Sequence, residues 1–285
     1  LSGMKKICLL GANGQLGSEI RRLAKDQSYF EVYAMDVAEL DISKADTVQS
    51  FFEKHQFDFL INCAAYTAVD AAESESELND LINNLAVKYL AEACQKQNAF
   101  LIHISTDFVY DGSKCTPMVE ADATNPLQAY GRSKLKGEQW VKDGIVIRTA
   151  WLYSTWGNNF VKTMLRLGAE KKSINVVNNQ VGTPTSATDL AQAILSMCSD
   201  PEVKSKKGLY LYSNEGVASW YDFAQAIMEY ADLPCKVNPI PDSQYPTPAK
   251  RPACCVLDKT KIKNSFNIEI PYWRKSLKEC IAKMN

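Results

Sequence analysis

The chain has 285 residues, enough for one large α/β domain or for a nucleotide-binding domain with a smaller lobe. Hydrophobic residues make up 46% and charged residues 23%, the balance of an ordinary soluble globular protein. With 32 Lys+Arg against 33 Asp+Glu the formal net charge is -1, so no overall basic field exists to hold nucleic acid or an anionic membrane, and any anion site has to be local.

In chain order, Leu1-Ser2-Gly3 ahead of Met4 reads as an expression scar. Lys5–Leu10 (KKICLL) is an apolar strand that runs straight into Gly11-Ala12-Asn13-Gly14-Gln15-Leu16-Gly17, and Ser18–Ala24 continues as a helix. The G-x-x-G-x-x-G spacing is weak alone but gains meaning between a strand and a helix. Gly11 permits the tight turn, Gly14 lets backbone approach a pyrophosphate, and Gly17 lets helix and strand pack closely. The helix N-terminus then offers free N–H groups and a partial positive charge to phosphates, so Gly11, Asn13, Gly14, Gln15, Leu16 and Gly17 are assigned to the cofactor.

A second strand, Glu31–Met35, ends at Asp36, 19 residues beyond Gly17. A carboxylate there binds the adenosine ribose of NAD and repels the 2′-phosphate of NADP, which leans towards NADH. Arg21 and Arg22 are able to receive a phosphate, so NADPH and NADH both stay open. Asp41 and Ile42, on the next loop, are placed to flank the adenine. Further elements are a helix over Ala45–Lys54, a strand over Asp58–Cys63, a long helix over Asp80–Lys96 and a strand over Phe100–Ser105. They are followed by a helix over Ser133–Val141 and a strand over Gly144–Thr149. The strands are apolar throughout rather than alternating, as in a parallel sheet covered on both faces. The βαβ rhythm predicts a Rossmann-type doubly wound parallel sheet over residues 4–150.

Beyond residue 150 the rhythm weakens. Helices are expected over Phe160–Leu167, Asp189–Cys198 and Trp220–Tyr230. The run Leu233–Pro252 holds six prolines and can be neither regular helix nor central strand. Residues 151–285 are read mostly as a smaller substrate-binding lobe, with residues 185–198 as a segment that returns to the first domain. No run reaches the roughly 18 apolar residues that span a bilayer. The nine cysteines are odd in number and irregularly spaced, with no C-x-x-C. They read as reduced thiols of a cytoplasmic protein, with neither a disulfide framework nor a zinc site.

Tyr130-Gly131-Arg132-Ser133-Lys134 gives Y-x-x-x-K, which on a helix points both heads to one face. A free tyrosine, with a pKa of ~10, is a poor acid at neutral pH, and a nearby ammonium lowers that value. The pair therefore suits proton donation to a carbonyl becoming an alcohol. A hydroxyl at the strand end Ser105-Thr106-Asp107 can hydrogen-bond the same oxygen. Adjacent residues of a strand face opposite ways, so only one serves; Thr106 is the choice and Ser105 its competitor. Asp107 is assigned to orienting the site or contacting substrate.

The set GANGQLG, NCAAYTAVDAAE, STDFVYDG, YGRSKLKGE, RTAWLY, GNNFVKTMLRL, NQVGTPT and YPTPAKRP resembles the dTDP-4-dehydrorhamnose reductase family of extended short-chain dehydrogenases/reductases, from about Met4 to the C-terminus. The resemblance implies hydride transfer from NAD(P)H to C4 of dTDP-6-deoxy-L-lyxo-4-hexulose, giving dTDP-L-rhamnose. In that scheme Tyr130 protonates the alkoxide, Lys134 holds the nicotinamide ribose and Thr106 polarises the carbonyl. It also implies that Ala64, Ala65 and Tyr66 line the cofactor cleft and that Trp151 packs near the sugar. Arg251 of PTPAKRP suits a diphosphate bidentately, and Asn158, Asn159 and Lys162 are polar candidates for the same pocket. Where the family tends to carry a serine-containing segment after that run, this chain has Ala253-Cys254-Cys255. Some members bridge a homodimer through a metal held by acidic residues; Glu19 is one candidate here, its companions are not found, and no metal is predicted. Two alternatives remain: a non-catalytic regulatory subunit of the methionine adenosyltransferase type, and a different nucleotide-sugar reductase or epimerase.

Overall fold

The computed structural model describes residues 3–284, so Leu1 and Ser2 of the expected scar lie outside the described residues. Its centre is a six-stranded sheet with all pairings parallel. The strands are β1 (Lys5–Leu10), β2 (Phe30–Met35), β3 (Phe59–Asn62), β4 (Phe100–Thr106), β5 (Gly144–Thr149) and β10 (Gly208–Tyr212), in the spatial order β10-β5-β4-β3-β1-β2. The order reverses between β1 and β3, which opens a crevice at the carboxyl ends of the strands.

The apolar strands are explained by what covers them. Ile7 and Leu9 of β1 join a core with α1 (Gln15–Ala24) and α7 (Ala187–Ser199), while Cys8 and Leu10 face the core shared with α2 (Ala45–Lys54) and α4 (Ala86–Gln97). The long helix is continuous from α3 (Ser76–Asp80) through a π-helical turn at Leu81–Leu85 into α4, so it starts earlier than the sequence suggests. The helix expected over Ser133–Val141 is instead α5, Ala129–Glu138. Gly131 near its start and Gly137 inside it are poor helix formers, and Gly131 hid the start. Both are demanded by packing: a Cβ would stand 2.1 Å from Phe108 O at Gly131 and 2.1 Å from Asn83 O at Gly137.

Residues beyond 150 return to the sheet twice. α7 packs on α1, and β10, for which the sequence analysis has no strand, extends the sheet beside β5. The remainder forms a second core from α6 (Phe160–Glu170), α8 (Trp220–Tyr230) and α10 (Trp273–Ala282), centred on Phe223, Ile227 and Leu277. Short pairings complete this part: β6 (Leu152–Tyr153) with β9 (Thr185–Ser186), β8 (Val181–Gly182) with β11 (Ala218–Ser219), and β7 (Ser173–Val177) with β12 (Lys236–Ile240). Pro239 sits in β12 of a two-stranded sheet, where a missing N–H is tolerated. A last short helix, α9 (Thr260–Phe266), lies against β10. Among the described residues no helix is long and apolar enough to cross a membrane, and no group of three or more His, Cys, Asp or Glu is arranged to hold a metal.

Candidate active site

A cleft of about 960 Å³ occupies the crevice at the carboxyl ends of β1, β3, β4 and β5 and reaches the second core. Its glycine-rich wall is Gly11, Gly14, Gln15, Leu16 and Gly17. Gly14 is the N-cap of α1 and supplies no side-chain cap, so the first-turn N–H groups face an anion freely. A Cβ on Gly14 would meet only Gly11 O at 3.3 Å, leaving the backbone open to a close-lying ligand. At Gly17 a Cβ would stand 2.2 Å from Gly11 O. Gly17→Ala is therefore expected to cost about 1–3 kcal/mol and to weaken dinucleotide binding, read by urea unfolding and by cofactor titration.

Asp36, Asp41, Ile42, Ala64, Ala65 and Tyr66 line the same cleft. Asp36 accepts from the backbone N–H of Asn13 at 3.0 Å and of Val37 at 2.9 Å. Asn13 is not among the lining residues; its side-chain oxygen accepts from Arg21 at 2.9 Å. Asp41 pairs with Lys44, and its carboxyl lies below the ordinary value through hydrogen bonds from Ser43 and Lys44. Arg22 is committed to the buried Glu19, which also accepts from the indole of Trp156. The uncapped glycine turn with an acid at the end of β2 fits a dinucleotide such as NAD(P)H.

Thr106, Asp107, Tyr130 and Lys134 converge on the cleft, with Trp151 at its far side. Ser105 also borders it, but its hydroxyl donates to Glu138 on the other side of β4. The Thr106 hydroxyl donates to Asp107 at 3.2 Å and accepts from Phe108 N. Burial pushes the Tyr130 phenol up to about 12; the Thr106 hydroxyl opposes this and the Asp107 charge adds to it. Burial also pushes Asp107 up to about 7, against hydrogen bonds led by that from Thr106. Burial draws Lys134 down to about 8, resisted by Glu138 and the Cys63 thiol. Its Nζ donates to Ile104 O at 2.6 Å.

Trp151 carries φ +47°, a strained setting for a bulky side chain. Its ring stacks on Trp220 at 3.6 Å, and a Cβ on Gly182 would crowd it at 3.0 Å. Trp220 was missed as a site residue because on α8 it reads as one more apolar position; Asn158 also borders the cleft, and Asn159 and Arg251 do not. Asn159 caps α6 by accepting from Lys162 N at 3.1 Å, and its amide donates to Gln15 at 3.0 Å, so it supports a wall residue from behind. Arg251 was expected at a diphosphate. Both its terminal nitrogens instead engage Asp70 at 2.8 Å, and one also donates to Ala249 O.

A family model described as "RmlD substrate binding domain" matches residues 4–285. The dTDP-4-dehydrorhamnose reductase of Aggregatibacter actinomycetemcomitans is 40% identical over 292 residues, covering 98% of this chain and 99% of the relative. A crystal structure of a dTDP-4-dehydrorhamnose reductase from Clostridium acetobutylicum superposes with a TM-score of 0.94 at 41% identity, covering 98% of this chain and 99% of that one. The enzyme of the same name from Bacillus anthracis, solved in complex with NADP, gives 0.93 at 35% identity, with 98% and 99% covered.

Proposed function

The chain belongs to the dTDP-4-dehydrorhamnose reductase family, and from that premise we propose that it is an NAD(P)H-dependent oxidoreductase reducing the C4 keto group of dTDP-6-deoxy-L-lyxo-4-hexulose to give dTDP-L-rhamnose. The observation that carries the reading is the meeting of Thr106, Tyr130 and Lys134 in one cleft with the glycine turn. A bound nicotinamide supplies the hydride. Tyr130 holds its proton at neutral pH and gives it to the oxygen that becomes the alcohol. Thr106 hydrogen-bonds that oxygen as its charge develops. Lys134 stabilises the phenolate left behind. Asp107 orients the sugar, and Trp151, buttressed by Trp220, packs against it. In this reading residues 4–150 bind the cofactor and residues 151–285 mostly shape the sugar pocket, with residues 185–198 serving the first part.

The test supplies the 4-keto sugar, made in situ, and follows nicotinamide oxidation with NADPH and with NADH. Turnover to dTDP-L-rhamnose supports the reading; folded protein that binds nucleotide yet oxidises neither cofactor overturns it. Asp36→Ala is expected to raise the NADPH-to-NADH ratio of kcat/KM about tenfold, since it removes a carboxylate facing the 2′ position. An unchanged ratio would place the ribose elsewhere.

A further inference from the structure

Two fully buried polar residues lie in the strands beside Lys134: Asn62 ends β3 and His103 lies within β4, both with no solvent exposure. Neither has a role in the proposed reaction. They form a chain. The Asn62 side-chain oxygen accepts from Ala64 N–H at 3.1 Å, its amide nitrogen lies 3.1 Å from His103 Nδ1, and His103 Nε2 lies 3.5 Å from Lys134 Nζ.

The backbone N–H of Ala64 can only donate, so it fixes which end of the Asn62 amide is oxygen. The amide nitrogen must then donate to Nδ1, leaving Nδ1 without a proton. A neutral imidazole carries one proton, which therefore sits on Nε2. His103 is held neutral, since burial and then the Lys134 charge keep its pKa well below the usual histidine value.

We propose that Asn62 and His103 are positioning residues that aim an N–H, rather than a lone pair, at Lys134, so that its ammonium holds a labile proton and refills Tyr130 during turnover. The inference rests on the active-site reading above. In the step, the N–H bond of Lys134 breaks as the O–H bond of the Tyr130 phenolate re-forms. The amine keeps the electron pair and turns it towards His103 Nε2–H, then regains a proton from solvent. At His103 an ammonium meets a repulsive dipole, set against its hydrogen bond to Ile104 O at 2.6 Å, whereas the amine gains a hydrogen bond there. The groups facing Lys134 are His103 and the Ile104 carbonyl from β4, Cys63 beyond β3, and Glu138 on its own helix. With Lys134 drawn down to about 8, the competent ammonium is present below that pH and lost as pH rises through it.

Long-range proton–nitrogen NMR of the full chain, free and with NADP⁺, reads the tautomer without turnover. The chain has two histidines, and H55Q identifies the signals of His103. Protonated Nε2 with bare Nδ1 at every pH is expected; an Nδ1–H tautomer or an imidazolium overturns the proposal on wild type alone. Asn62→Asp keeps the acceptor for Ala64 N–H but draws the proton to Nδ1, presenting a lone pair to Lys134. The Lys134 midpoint, followed on labelled lysine ε-carbons, and the alkaline limb of the rate profile should then both move up by about one pH unit. A flipped tautomer with an unmoved midpoint overturns the proposal. A moved midpoint in a chain that turns over no dTDP sugar overturns the reductase reading alone.

Discussion

Tyr130→Phe is expected to lower kcat for nicotinamide oxidation with the 4-keto sugar by about 10²-fold or more, with cofactor affinity nearly unchanged. The substitution removes one oxygen from a half-buried ring. The phenyl group left behind keeps its edge-to-face contact with Phe108, 5.9 Å between centroids, so the cleft should keep its shape. What goes is the phenolic proton that the proposed reaction hands to the new alcohol, while Thr106 stays to hydrogen-bond that oxygen. Lys134 does not replace it directly, since its Nζ is turned to Ile104 O. The measurement is kcat and KM beside fluorescence titration of NADPH. Near wild-type kcat would remove Tyr130 as proton donor. A large rise in KM for cofactor with little loss of kcat would mean that the ring serves packing alone.

The parallel sheet was legible because its strands, such as KKICLL and GIVIRT, are apolar on both faces, and only a sheet covered by helices hides both. β10 was not. Its sequence GLYLY begins with glycine and pairs with β5 from about sixty residues away, after four short strands, α6 and α7, so no local rhythm announces it. The convergence of Thr106, Tyr130 and Lys134 follows from helical and strand periodicity, both local. The fate of Arg251 depends on Asp70, 181 residues earlier, and a sequence shows the guanidinium without showing its partner. Asn62 and His103 left a signal that was not used: single polar residues inside apolar strands are costly unless hydrogen-bonded, and so mark places where a network is being built.

Arg148→Met is expected to destabilise the protein by about 3–5 kcal/mol, because it leaves a buried carboxylate without its cation. Arg148 lies in β5 and Glu138 ends α5; their side chains are 5% and 8% exposed. Arg148 Nε sits 3.0 and 3.2 Å from the two carboxylate oxygens and a terminal nitrogen 2.6 Å from one, while the other terminal nitrogen donates to Tyr110 OH at 2.8 Å. Ser105 donates to the same carboxylate from β4. The ion pair thus ties the helix that carries Tyr130 and Lys134 to β5, and the Ser105 hydroxyl ties the same carboxylate to β4, the strand that carries Thr106. Urea unfolding of Arg148→Met, Glu138→Leu and the double variant separates charge from packing. If the loss comes from an orphaned charge, the double variant should recover most of it, as apolar replacements of buried pairs often do. A double variant as unstable as Arg148→Met would instead assign the loss to the Tyr110 contact and to packing. Should stability return while kcat does not, the pair's contribution would be to the register of α5 against β4, and the distance from Tyr130 to Thr106 would be what it holds.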